Sequence, residues 1–331
     1  MQGELVGSLR WLQHRRSMNI YVYPTDPEWF RFLAAQQALD EVNFWRPGGE
    51  QGFRQLAPGE LLLFRLRKPD NVIAGGGFFV HFSFAPLFKA WEAFGNKNGT
   101  SNYDQFLRLI AKHKGLSHRP ELAATARIGC IILASPFFLP RERWIPVPDD
   151  YPMHSPQGYR YDASYGSGRA LFDQVTALLQ QPTLGQETVS RIAERPRLDV
   201  WGEMALVRRR LHQGAFRLIV ADIYEHRCAV TGERTLPVLE AAHIMPVSRG
   251  GQHRPDNGLL LRSDIHTLFD LGYVTVTKKA EFRVSSSLTS EWQNGKVYYA
   301  LQSAKIRLPS DTENRPSGEF LEWHNDTVFR G

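Results

Sequence analysis

The sequence predicts an α+β protein: a small curved β-barrel with flanking helices, a helical linker, and a C-terminal domain of strand, loop and short helix around polar residues. Three observations predict it. Residues 18–150 are dominated by short aromatic, strand-like runs broken by turns. Residues 151–211 pass from Pro-, Tyr- and Gly-rich text into helical periodicity, and residues 212–331 hold clustered His, Asn and Asp between further strand-like runs.

The length of 331 residues is more than one core usually serves, so two domains are expected. An apolar content of 42% with 22% charged residues is ordinary for a folded globular chain and argues against disorder. The formal charge of +6 favours a polyanionic partner without requiring one. Cys130 and Cys228 are the only cysteines and lie far apart in sequence. Neither a disulfide framework nor a four-cysteine zinc site can be built from them, so no structural zinc is expected and a reducing cytoplasm fits best. No apolar run approaches the ~20 residues that span a bilayer, so no membrane partner is expected. The opening MQGELVGSLRWLQHRRS lacks the continuous apolar stretch of a secretory signal. Met18 stands directly before NIYVYP, and the compact fold is expected to begin there, with residues 1–17 as an N-terminal extension.

In the first domain the strand-like runs are NIYVYP, VNFW ending in Arg46-Pro47-Gly48-Gly49, ELLLFRLR, VIAGGGFFVHFSF and the returning ARIGCIILASPFFL. Helical text interrupts them twice. In DPEWFRFLAAQQALD, Asp26 can cap and Pro27 sits in the first turn; the second is SNYDQFLRLIAKHKG. The linker turns helical at GRALFDQVTALLQQ, and the periodicity continues through ETVSRIAERPRLDVWGEMALVRRRLHQGAFRLIVADIYEHR. Arg208, Arg209 and Arg210 form a basic run there that by default is a solvated helix face and that near DNA would track phosphates. CAVTG, TLPVLEAAHI and YVTVTKKAEFRVSSSL read as strands.

The chemistry concentrates between Glu240 and Asp270. VLEAAHI reads as a strand and SDIHTLFDLG as one or two helical turns, with a glycine-rich loop holding Asn257 between them. Residues four apart share a helix face, so His266 and Asp270 can reach a single cation. Imidazole with carboxylate suits a divalent metal, and carboxylate with water suits Mg2+ or Mn2+. His243 is of the type best poised to take a proton from water near neutral pH, and Asn257 could orient either that histidine or the loop. Asp264 is expected to cap the helix, and His253 to be an exposed loop residue.

AAHI, then NGLLL, then DIHTLFD resembles the HNH family of ββα-metal nucleases, with the likeness running from about Gln213 to the C-terminus. The resemblance implies a DNA endonuclease with His243 as general base, Asn257 as the central asparagine and His266 as a metal ligand, and it puts Asp270 where relatives carry a last histidine ligand. Many members place Asp or His directly before the general base, where this chain has Ala242. Glu240 stands two residues earlier, on the same strand face by alternation, either as the substitute ligand or as a structural carboxylate.

VNFWRPGG, followed by FRQLAPGELLLFRL and VIAGGGFF, is similar to the PUA superfamily, nearest its EVE and SRA-like members. That resemblance implies a reader whose pocket accepts a modified base. Such a base in duplex DNA is flipped out and stacked between aromatic faces. Trp45, Tyr21 and Tyr23 are candidate walls, with Phe44, Phe78 and Phe79 beside them, and Asn43 could read an edge. Arg46 or Arg54 could meet phosphates, as could the Lys97–Asn102 loop if it is not simply a helix cap. Together the two resemblances imply a modification-dependent restriction endonuclease, acting as a homodimer on double-stranded DNA that carries 5-methylcytosine or 5-hydroxymethylcytosine. The alternative is a nuclease toxin, or a nuclease of unmodified DNA, whose first domain serves protein contacts.

Overall fold

The computed structural model describes residues 18–48, 52–152, 157–180 and 211–331. The N-terminal extension, Arg208, Arg209 and most of the second helical run of the linker lie outside the described residues. The chain divides into two compact units. The first comprises the described residues up to Phe82, Asn96–Leu109 and those from Ile131 through the linker helix; the second comprises Ser83–Gly95, Ile110–Cys130 and the described residues from 211 onward.

In the first part of the chain, strands β1 (Asn19–Thr25), β2 (Glu41–Arg46), β3 (Leu61–Leu66), β4 (Val72–Pro86), β5 (Arg127–Phe138), β6 (Ile145–Pro146) and β7 (Tyr159–Asp162) form one sheet. Its order is β2-β5-β4-β3-β1-β7, with β6 paired to β4. This order has two ends, so among the described residues the sheet is open and the expected barrel closure is absent. Alternation identifies strands but not their partners, and closing this sheet would require β2 to meet β7. The α+β class itself holds.

β1 and β3 run parallel, joined by a crossover that contains helix α1 (Pro27–Ala34). Asp26 caps α1 as its sequence indicates, accepting the backbone N–H groups of Glu28 (2.9 Å) and Trp29 (3.0 Å), with Pro27 in the first turn. Every residue of β3 is buried, the mark of a central strand covered on both faces. The Gly75-Gly76 pair in β4 answers to close packing: a Cβ on Gly75 would stand 2.3 Å from the Phe137 carbonyl oxygen and one on Gly76 2.7 Å from that of Leu62.

The remaining helices of this stretch are α2 (Leu87–Phe94), α3 (Tyr103–His113) and α4 (Gly166–Gln180), the last two where periodicity indicates helix.

In the second unit, α5 (Gln213–Ile223) precedes the antiparallel pair β8 (Leu239–His243) and β9 (Gly258–Arg262), which leads directly into α6 (Ser263–Asp270). The register sets His243 opposite Gly258 and Glu240 opposite Leu261. A hairpin of β10 (Val274–Val276) and β11 (Phe282–Val284) follows, then the short helices α7 (Ser287–Trp292) and α8 (Lys296–Tyr299), and α9 (Gly318–Thr327). The core gathers Phe216 and Val220 of α5, Ala242, Leu259–Leu261, Ile265 and Phe269, then Val274, Phe282 and Phe320. Gly258 lets α5 rest directly on β9: a Cβ there would come within 2.5 Å of Val220 Cγ2. CAVTG is a turn and not a strand, closed by Gly232 N–H to the Cys228 carbonyl (2.9 Å). Cys228 and Ala229 are buried in the core with Val230 packed partly against it, and burial imitates a strand pattern in so short a run.

Candidate active site

His243 is the last residue of β8, where the strand delivers it to the edge of the core. Its ring stacks on Phe216 of α5, centroids 3.9 Å apart and planes 10° apart. Nε2 faces Nδ1 of His253 at 3.0 Å. Partial burial, reinforced by the nearby charges of His253, His266 and Arg217, pushes the His243 pKa down to about 4. The ring is therefore neutral at neutral pH and has a lone pair to offer.

Asn257 is completely buried at the foot of the loop between β8 and β9. Its Oδ1 accepts the Met245 N–H (2.9 Å), and its Nδ2 donates to the carbonyls of Met245 (2.9 Å) and Gln252 (2.9 Å). Of the two roles open to it, the hydrogen bonds serve the loop. They pin both ends of the segment that carries the turn before His253.

On the helix side, His266 Nδ1 donates to Glu240 Oε2 at 2.6 Å, and Nε2 stands 3.4 Å from Asp270 Oδ2. Ala242 is buried in the core, whereas Glu240 reaches out to the histidine with its side chain half exposed. The Asp270 carboxyl sits above its ordinary value, raised by desolvation and by Glu240 and opposed by His266. One imidazole and two carboxylates form a donor set of the right kind for a hard divalent ion. Among the described residues, however, no three His, Cys, Asp or Glu side chains are arranged as a ready metal cluster. The two nitrogens of His266 are each turned to a carboxylate instead.

Two sequence expectations change here. Asp264 is not a cap, because α6 begins one residue earlier at Ser263. Its carboxylate instead accepts two bonds from Arg262 (2.6 and 2.8 Å) and one from the Tyr298 hydroxyl (3.1 Å). His253 is not a free loop residue but half-buried against His243.

Glu240 and His266 line a cavity of about 410 Å3 within the second unit, together with Leu260, Leu218, Lys89 and Arg217. The Arg217 guanidinium donates to the Glu92 carbonyl (2.5 Å), and Lys89 Nζ to the Glu92 carboxylate (2.7 Å) and the Leu239 carbonyl (3.1 Å). Sequence reasoning passes over Phe216, Arg217 and Lys89. Phe216 and Arg217 lie inside the helical GAFRLIV run, but nothing in Lys89's surroundings along the chain marks it.

The residues chosen from sequence as a base pocket lie in the first unit as two groups, Asn43 and Trp45 at Asn98 and Tyr21 and Tyr23 beside Phe53 and Phe44, all buried but the half-buried Tyr23. The Trp45 indole N–H donates to the Asn98 carbonyl (2.9 Å), and the residue is 7% exposed. Asn43 is fully buried, its Nδ2 donating to Asn98 Oδ1 (2.9 Å) and its carbonyl accepting the Trp29 indole N–H (3.1 Å). The Tyr21 hydroxyl donates to the Gln157 carbonyl, and Tyr23 meets Phe44 edge to face with centroids 5.0 Å apart. Phe44, Phe78 and Phe79 are core residues, Arg46 is half-buried and Arg54 is exposed. In the Lys97–Asn102 loop, Asn102 Oδ1 accepts the Gln105 N–H (3.0 Å), a helix-capping bond at the start of α3.

The family model for HNH endonucleases matches residues 228–277, the stretch from Cys228 through β8, β9 and α6 to just past β10. Residues 228–277 are thus an HNH endonuclease domain. Among solved structures, the chain is similar to TagI, a modification-dependent restriction endonuclease, at 13% identity over 93% of this chain and 81% of that one, with a TM-score of 0.29. It is similar also to a point variant of an ASCH protein from Zymomonas mobilis, at 13% identity over 36% of this chain and 74% of that one, with a TM-score of 0.25. At these TM-scores neither likeness fixes a shared fold. No curated protein matches the chain.

Proposed function

We propose that the chain is a modification-dependent restriction endonuclease, in which residues 18–150 read a modified base and residues 212–331 cut the DNA, with residues 151–211 as the linker. The observation that carries the nuclease half is the neutral His243 ring, fixed on Phe216 in an HNH domain that also holds Glu240, His266 and Asp270. His243 takes a proton from the attacking water. The resulting hydroxide forms a bond to phosphorus as the P–O3′ bond breaks, and the departing O3′ takes a proton from solvent water, giving 5′-phosphate and 3′-hydroxyl ends. Burial keeps the base unprotonated, and the negative phosphodiester raises its proton affinity toward the working range as substrate binds. Asn257 holds the loop, and Arg217 offers a cation to the phosphate backbone near the site.

His266, Asp270 and Glu240 would hold a divalent ion, Mg2+ or Mn2+, which when bound neutralises phosphate charge and stabilises the leaving oxygen. Two cuts make a double-strand break, so we propose action as a homodimer. Both cysteines are buried and neither forms a disulfide, which suits the cytoplasm, and no helix among the described residues is long and apolar enough to cross a membrane.

The reader half rests on the PUA-like sequence resemblance and on the net charge of +6. In this reading the extruded base is a modified cytosine, bound at the loop after Trp45 with Asn43, Tyr21 and Tyr23 supporting the pocket from the core and Arg46 at the phosphates. Arg208 and Arg209 would add phosphate contacts. The test is a set of identical duplexes carrying 5-methylcytosine, 5-hydroxymethylcytosine, N6-methyladenine or no modification, incubated with enzyme and Mg2+ or Mn2+. Preferential cutting of a cytosine-modified duplex is expected. Equal cutting of all four would remove the restriction role and leave a general nuclease.

A further inference from the structure

We propose that His253 is the positioning residue that sets the tautomer of His243: its Nδ1 accepts the Nε2–H of His243, leaving Nδ1 of His243 as the atom that takes the proton. This inference rests on the reading of His243 as general base.

Two ring nitrogens 3.0 Å apart share one proton, since two lone pairs or two N–H groups facing each other would repel. Two arrangements remain. If His253 donates, His243 carries its own proton on Nδ1 and accepts at Nε2, so neither of its nitrogens is open to water. If His243 donates, its Nδ1 lone pair is open and the ring can act as a base. Only the second arrangement is compatible with proton abstraction.

Flipping the ring does not offer a third: it would keep the stack on Phe216 but set a carbon against Nδ1 of His253 and lose the 3.0 Å contact. His243 lies flat on Phe216 at 3.9 Å and meets His253 edge-on, centroids 5.0 Å apart and planes inclined by 62°. His253 in turn is placed by its loop. Asn257 ties that loop at Met245 and Gln252. Gly251 N–H donates to the Pro246 carbonyl (3.0 Å), and a Cβ at Gly251 would stand 1.9 Å from the Met245 carbonyl oxygen, so the turn closes only with glycine there. Asn257 thus acts on His243 through the loop and His253. When His243 accepts the water proton on Nδ1, its Nε2–H becomes a charge-assisted donor to His253, and the pairing strengthens as the charge develops.

The test uses the full chain labelled with 15N-histidine, the His243 signals being identified by their absence in His243→Gln. The expected result is an Nε2–H tautomer for His243 in the wild type and in His253→Asn, whose Oδ1 can accept in place of the ring nitrogen, and a mixture of tautomers in His253→Ala. In metal-dependent nicking, His253→Ala should lose about 10- to 100-fold in kcat with KM unchanged, and His253→Asn should recover most of it. An Nδ1–H tautomer in the wild type would overturn the proposal, as would a tautomer unmoved in His253→Ala. If the wild type fails to nick DNA, the nuclease reading falls, and the spectra still decide the pairing.

Discussion

His243 and His324 are packed alike and bonded differently. Each ring lies flat on a phenylalanine, His243 on Phe216 at 3.9 Å and His324 on Phe269 at 3.7 Å, and each has its pKa pushed down to about 4, chiefly by burial. The difference is in the hydrogen bonds. His324 is 2% exposed, with Nδ1 against the Thr275 hydroxyl (2.8 Å) and Nε2 against the Phe269 carbonyl (3.0 Å), so a neutral ring satisfies both nitrogens inside the core. His243 has only its Nε2 engaged, by Nδ1 of His253 at 3.0 Å. A depressed pKa therefore does not distinguish a structural histidine from a base. The number of ring nitrogens already committed to the protein does.

The largest effect expected from breaking this comparison is catalytic. His243→Ala should lower metal-dependent nicking by about 10²- to 10⁴-fold while leaving the urea midpoint close to the wild type. The next is a pH effect at His324. Its folded pKa lies below the unfolded value of 6.5, so below pH 6.5 the unfolded chain takes up a proton that the folded chain refuses. Stability contributed by keeping this ring neutral is present above pH 6.5 and is lost as pH falls toward 4, to a total of about 3 kcal/mol. His243 adds a slope of the same sign, and urea titrations of His324→Gln across pH 4–7 should show a shallower dependence than the wild type. Third, Asn257→Ala strips partners from part-buried backbone groups of Met245 and Gln252, and should cost about 1 kcal/mol. Nicking per folded molecule should fall with it, because the loop carrying His253 slackens. The smallest effect is that of Trp45→Phe, which keeps the ring packed but removes the bond to Asn98, for about 1 kcal/mol in the same titration and no change in nicking of unmodified DNA.

What the sequence makes legible follows from distance along the chain. The cap at Asp26, the 3.6-residue periods of α3 and α4, and the i, i+4 relation of His266 to Asp270 are local, and local rules find them. The likeness of AAHI, NGLLL and DIHTLFD to HNH nucleases brings in longer separations, because those motifs carry an arrangement of β8, β9 and α6 that spacing alone does not contain. His253 escapes, since its partner is set by how a glycine turn folds back, and a histidine among Gly, Gln and Arg looks like solvent-facing loop. The sequence leaves Glu240 open as ligand or structural carboxylate; its carboxylate meets His266, a contact made by side-chain reach between β8 and α6 and invisible to strand alternation. Asp264 misleads by two positions: Arg262 is the residue at the helix cap, and it holds the Asp264 carboxylate. Barrel closure fails for a related reason: the period of a strand reports its faces and says nothing of which edge it joins.

The most direct test of the central claim is nicking of a supercoiled plasmid by the wild type and by His243→Ala, each with Mg2+ or Mn2+ and with a chelator. Metal-dependent nicking by the wild type is expected, abolished by the chelator and lacking in the variant, which stays folded. Equal nicking by both proteins, or none by the wild type with either metal, would contradict it.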